Sequence, residues 1–147
     1  MTDTRATPAP GAGDAYPGER LGLAPDGRGS LASWRSRIAA LLVDWLFSMA
    51  AVALFGAAVS TSDDWRAAMV HLTFLVESAV LSWLTGGSLG QLVCRIGIIR
   101  LDRVPLGLPR AVLRAVLVSL TLPPLVVGAD RRGLQDYAAG TVVVNRR

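Results

Sequence analysis

Residues 33–60 read SWRSRIAALLVDWLFSMAAVALFGAAVS, and from 38 to 60 every side chain is apolar or small except Asp44. A bilayer core of ~30 Å takes ~20 such residues in a helix rising 1.5 Å per residue. The stretch therefore has the length and composition of a membrane span. A carboxylate inside a span costs a few kcal/mol even on lenient insertion scales, so Asp44 is the residue that needs a partner. Arg37 lies seven residues before it, two turns back on the same helical face. The two backbones stand ~10 Å apart along the axis, and Arg37 can reach toward the interface while Asp44 points inward. Ala40, Asp44, Ser48 and Ala51 form one seam that is expected to face other helices. Ala53 with Ala57 and Gly56 with Ser60 have the small-xxx-small spacing that permits close helix approach in lipid, a spacing that an alanine-rich helix also produces by chance.

Working outward, the composition agrees. Hydrophobic residues make up 52% of the 147-residue chain and the mean hydropathy is +0.44, too apolar for a soluble domain of this size. The net charge of +4 comes from arginines in short runs beside apolar segments, which is the positive-inside pattern rather than a nucleic-acid surface. All fifteen basic residues are arginine. A single cysteine, Cys94, excludes an internal disulfide and argues against a cysteine-ligated metal. No cofactor, metal site or nucleic-acid partner is expected.

Residues 1–32 are rich in Pro, Gly, Ala and Thr and are expected to form a disordered cytoplasmic arm. Near its end, YPGERLGL at 16–23 reads as a linker, or as an interfacial anchor through Tyr16, Leu21 and Leu23. Residues 33–147 form the membrane domain. After the first segment (38–60), the polar loop TSDDWR at 61–66 is net acidic and carries Trp65, as an external loop would. The second segment, 67–84, contains His71 near its outer end, read as interfacial, and Glu77 deeper in, a candidate proton site or hydrogen-bonding group.

Residues 85–108 begin with a glycine-rich turn that is no phosphate loop, lacking both GK[ST] and GxGxxG. A β-like run follows, with four arginines against one aspartate between positions 95 and 110, a cytoplasmic signature that also suits contact with anionic headgroups. The third apolar segment, 111–129, holds Arg114 and is broken by Pro123 and Pro124. Simple alternation puts the C-terminus outside, whereas the arginine-rich tail prefers the cytoplasm. The segment either crosses or re-enters with the prolines at its tip. Pairing of the β-like runs at 96–101 and 141–144 would put both on one membrane face and favour re-entrance. The fold class expected is thus an all-α integral membrane protein: two clear transmembrane helices, a third Pro-broken segment that spans or is re-entrant, and short β-like pieces at the cytoplasmic face.

Four motifs in order resemble the RDD family of small bacterial membrane proteins. R-x-x-A-x-x-x-D matches Arg37, Ala40 and Asp44. T-G-x-[ST]-x-G-K followed by G-x-x-V matches Thr85, Gly86, Ser88 and Gly90, departing at Gln91 where lysine is usual and at Arg95 where glycine is usual. A later arginine corresponds to Arg114. L-x-D-x-x-A-G-T-x-V matches Leu134, Asp136, Ala139, Gly140, Thr141 and Val143. Residues 16–23 also look like actinobacterial members. The resemblance covers residue 33 to the end; with the spans and charge pattern above, a multi-pass protein of the cell membrane with a cytoplasmic N-terminus is expected.

On this basis Arg37, Asp44, Arg114 and Asp136 are expected to form an internal, charge-compensated cluster, with Gly86, Gly90 and Gly140 as motif glycines. Such a cluster suits a structural or partner-binding module, associating with the lipid bilayer and with other membrane proteins or itself. The alternative is a subunit of an oligomeric ion- or proton-coupled transporter, with Asp44 and Glu77 carrying the charge. One histidine and one cysteine, with no nucleophile–base spacing, give no enzyme to expect.

Overall fold

The computed structural model describes residues 16–56, 62–120 and 132–147. Two long helices dominate it, α1 (Trp34–Phe55) and α2 (Asp63–Thr85). Each starts at a serine whose hydroxyl accepts from the backbone three residues on, Ser33 from Ser36 and Ser62 from Trp65. They run antiparallel: Trp45 stacks on buried Phe74 at 5.2 Å, and Gly56 faces Met69. The face α1 turns inward is Ala40, Asp44, Ser48 and Val52, a strict four-residue spacing that takes Val52 rather than the expected Ala51.

Both helices are long and apolar enough to cross a membrane. Their apolar side chains are largely uncovered, with Leu54 and Phe55 at 76% and 80% exposure. In the core helix of a water-soluble fold those groups would be buried at ~25 cal/mol per Å²; here their surroundings have to be apolar themselves, as hydrocarbon is.

The ends of α1 and α2 where the fold thickens carry a small sheet. β1 (Ile96–Arg100) pairs antiparallel with β2 (Thr141–Asn145), Ile98 opposite Val143. Residues 30–32 run along the free edge of β2, where Ala32 N–H donates to Val143 O (3.0 Å) and Asn145 N–H to Ser30 O (2.9 Å). One sheet face, Ile96, Ile98 and Val143, packs on Ala40 of α1 and Ala111 of α4 (Leu108–Ser119). On the other face, Val142 and Val144 are covered by Leu23, flanked by Leu21 and Leu31.

That covering corrects the expectation of a disordered arm through residue 32. From Tyr16 onward the arm is folded: a 3-10 turn at Glu19–Leu21, Tyr16 Oη bonded to Leu23 O (3.2 Å), and Ser30 and Ala32 buried. Three isolated leucines have too little apolar surface to fold alone, but suffice once β2 offers a face to cover. Residues 1–15 lie outside the described residues.

The expected boundaries shift. The first helix begins four residues earlier than 38, and residues 57–61 lie outside the described ones. The second extends to Asp63–Thr85 beyond the expected 67–84, because Ser62 caps it and Gly86 (φ 74) closes it in a left-handed C-cap. The third segment starts at Leu108, with proline in its first turn, and the double proline falls within residues 121–131, outside the described set. Two short helices complete the fold: α3 (Leu89–Val93), between α2 and β1, and α5 (Leu134–Ala139), which leads directly into β2.

Candidate functional site

The polar groups of the membrane-length helices converge on two centres. The first is the amino end of α3. A helix of five residues has few internal hydrogen bonds, so its leading N–H groups need acceptors. Ser88 and Gln91 form a capping box: Gln91 N–H donates to Ser88 Oγ (3.4 Å), and Ser88 N–H to Gln91 Oε1 (3.2 Å). Leu89 N–H donates to Glu77 Oε1 of α2 at 2.7 Å, and Gly90 N–H to Asp44 Oδ1 of α1 at 2.5 Å. Ser88 Oγ donates to the other Asp44 oxygen at 2.6 Å. Two carboxylates from two helices thus meet the positive end of a third.

Gly90 makes this approach possible. A Cβ there would overlap the Ala40 carbonyl oxygen and lie 2.9 Å from Asp44 Oδ1. Gly86, the second motif glycine, supplies the left-handed turn between α2 and α3, and its carbonyl accepts from Ile98 N–H at 2.7 Å, docking β1 onto the end of α2.

The second centre is Asp136, in the first turn of α5 and 0% exposed. Its Oδ1 accepts from Arg114 Nη2 (2.7 Å), Arg114 Nε (3.2 Å) and Thr141 Oγ1 (3.2 Å). Its Oδ2 accepts from Arg37 Nη1 and from Gly133 N–H, each at 3.4 Å. Arg37 also donates to Val143 O at 3.3 Å, tying α1 to β2. Gly140 (φ 64) is the left-handed C-cap of α5, and Arg110 Nη1 bonds to Ala139 O beside it at 3.2 Å.

Three of the four expected cluster members therefore meet: Arg37, Arg114 and Asp136. Asp44 does not join them. The expectation that Arg37 is its partner is corrected: the bonds of Asp44 go to Ser88 and Gly90, two turns along α1 from the sheet-bound guanidinium. Seven-residue spacing shares a face but leaves two full turns between the groups, and α3 offers Asp44 donors at its own level. Glu77, the candidate proton site, sits at 2.7 Å on a backbone N–H and at 3.2 Å from Ser78 Oγ. His71 is exposed, its Nδ1 2.8 Å from Ala67 O of its own helix.

Arg132 is the residue sequence reasoning missed, having counted it only as tail charge. It is buried, with Nε on Thr141 O (3.1 Å), Nη2 on Asp136 O (3.0 Å) and its guanidinium 4.3 Å from the Tyr137 ring centroid. Its bonds go to backbone carbonyls, which no side-chain motif announces. The two centres border one cavity of about 80 Å³, between Arg37, Asp44, Ser88, Arg114 and Gln135. Among the described residues no three His, Cys, Asp or Glu side chains converge as a metal site would require.

The family model for the RDD family matches residues 31–140. The match opens where the chain joins β2, includes both polar centres and closes at Gly140. No curated protein matches the chain, and no solved structure does.

Proposed function

The chain belongs to the RDD family, and from that membership we propose that it is a multi-pass protein of the cell membrane acting as a structural or partner-binding module, with no catalytic chemistry of its own. One observation carries this reading: Asp44 and Glu77 are each occupied by a backbone N–H of α3, at 2.5 and 2.7 Å. Carboxylates so engaged fix the mutual placement of α1, α2 and α3. Buried charge persists in folds where removal of one partner costs several kcal/mol, and Asp136 with its two arginines fits that use.

The third segment is re-entrant in this reading. Its first helix starts beside the sheet, and the chain is back at the sheet by Gly133, where Asp136 meets both Arg114 and Arg37. The twelve residues of α4 extend ~18 Å, less than the ~30 Å of a bilayer core. The sheet end carries Arg95, Arg100, Arg103, Arg110 and Arg146, and the opposite end Asp63 and Asp64 against Arg66, a distribution that supports a cytoplasmic sheet and N-terminus. The apolar faces of α1 and α2 would meet lipid, a second copy or another membrane protein.

Purified wild type and Asp44→Asn reconstituted in vesicles test the reading. The expected result is no proton or cation flux from either, with reduced membrane abundance of the variant. Flux in the wild type that Asp44→Asn abolishes without loss of fold would favour the transporter alternative.

A further inference from the structure

A groove of about 630 Å³ crosses the outer side of β1. Its walls are Leu23 of the N-terminal arm, Trp83 and Leu84 of the last turn of α2, Ile99 and Leu101 on the strand side, and Val104 of the following turn. Apart from Leu23, these side chains are all at least 40% exposed. The rim carries Arg100 and Arg103, with Asp102 between them. Arg100 binds Asp102 and donates to Pro105 O at 3.3 Å. That pairing holds the Asp102 carboxyl below the usual carboxylate range, with a further contribution from Arg110. Two guanidinium groups, those of Arg100 and Arg110, therefore act on this one carboxylate. Arg103 stands at the tip of the turn, exposed, with φ 57.

We propose that this groove binds one anionic phospholipid, its phosphate on Arg100 and Arg103 and its first acyl carbons along Trp83, Leu84 and Val104. Two features of the groove choose a lipid over a soluble anion or a peptide. One wall is the terminal turn of a helix long and apolar enough to cross a membrane, so the groove opens where hydrocarbon gives way to headgroups, the level that tryptophan prefers. The surplus positive charge sits at the polar end of an otherwise apolar channel, matching a molecule whose anionic group and apolar chains are joined end to end. The inference goes beyond the buried carboxylate centres and needs only that α2 lies in a bilayer.

The test is native mass spectrometry of the full chain released from nanodiscs of equal phosphatidylcholine and phosphatidylglycerol. One phosphatidylglycerol should be retained in preference to phosphatidylcholine. Arg103→Gly keeps the left-handed turn without strain and should lower that preference about fivefold, the effect of one interfacial arginine. Val104→Glu, at an exposed position, should lower retention of either lipid. Equal retention of the two lipids overturns the proposal, as does an unchanged preference in Arg103→Gly. Displacement of the lipid by millimolar inorganic phosphate, or crosslinking of residues 1–15 into the groove, overturns it too.

Discussion

Arg114 Nη2 lies 2.7 Å from Asp136 Oδ1, and Arg114 Nε lies 3.2 Å from the same oxygen. A side chain in the middle of α4 is thereby locked to the first turn of α5, with both partners out of water. Arg114→Ala would leave a buried carboxylate short of its strongest donor, a loss of ~3–5 kcal/mol. Lysine would not substitute, because a point charge cannot make both bonds. Adding Asp136→Ala to Arg114→Ala should cost less than Asp136→Ala costs alone, since the shared interaction is already gone. Thermal unfolding of the detergent-purified protein reads all three. A wild-type midpoint for Arg114→Ala would show that the pair contributes nothing.

Arg37 and Asp44 share a face of α1 but belong to different centres. A double-mutant cycle of Arg37→Ala with Asp136→Ala should give a coupling of ~0.5–3 kcal/mol, whereas Arg37→Ala with Asp44→Ala should be additive within ~0.5 kcal/mol. Exchanging the charges, Arg37→Asp with Asp44→Arg, should not restore abundance. Restoration by that exchange would return the two residues to one ion pair.

The sequence reading and the structure part company at this point for a physical reason. Helical spacing is a local signal, so it identifies which residues of α1 face inward and even the order Arg37, Ala40, Asp44. The partners come from residues remote along the chain: Asp136 and Val143 for Arg37, Ser88 and Gly90 for Asp44. No periodicity connects them. The two long helices were legible because length and uniform apolarity are themselves the signal. α3 was not, since five residues show no period, and the S-x-x-Q of Ser88 and Gln91 was its only mark. The pairing of β1 with β2 could be suspected from two β-branched runs, but the leucines of the arm reveal themselves only once β2 presents Val142 and Val144.

Gly90 should be the least replaceable glycine of the turn. A methyl at that position would overlap the Ala40 carbonyl oxygen, and rigid backbone cannot yield as a side-chain tip can. Gly90→Ala must lift α3 from α1 and lengthen the Asp44 bond, an overpacking of ~1–3 kcal/mol or more. Gly107→Ala is the control: its φ is −72° and the nearest atom to an added Cβ is Pro109 Cδ at 3.8 Å. That substitution should leave the unfolding midpoint within a degree or two. Equal midpoints for both variants would mean that α3 does not rest on α1.

Cys94 closes α3, and burial, reinforced by the charge of Asp44, pushes its thiol up from the ordinary cysteine value. A raised thiol carries less thiolate at any given pH, and thiolate is the form that reacts. Alkylation of the folded protein at pH 8 should therefore be slower than that of the same protein in denaturant, and its rate should continue to rise above pH 9. A rate at pH 8 equal to that of the unfolded chain would contradict the raised thiol.

The direction of the chain through the bilayer rests on a parity argument that labelling can decide. β2 is hydrogen-bonded both to β1 and to residues 30–32, so the tail and the start of α1 occupy one side whatever residues 121–131 do. In a Cys94→Ser background, Arg147→Cys and Asp26→Cys should react alike with a membrane-impermeant maleimide. Asp64→Cys, at the far ends of the two long helices, should react oppositely. In intact cells the first two are expected to be protected and Asp64→Cys labelled, because the arginines gather at the sheet end. Labelling of Arg147→Cys together with Asp64→Cys would place the tail outside. The third segment would then cross, and Asp136 could not meet Arg37, so the ion-paired centre would have to be abandoned with the topology.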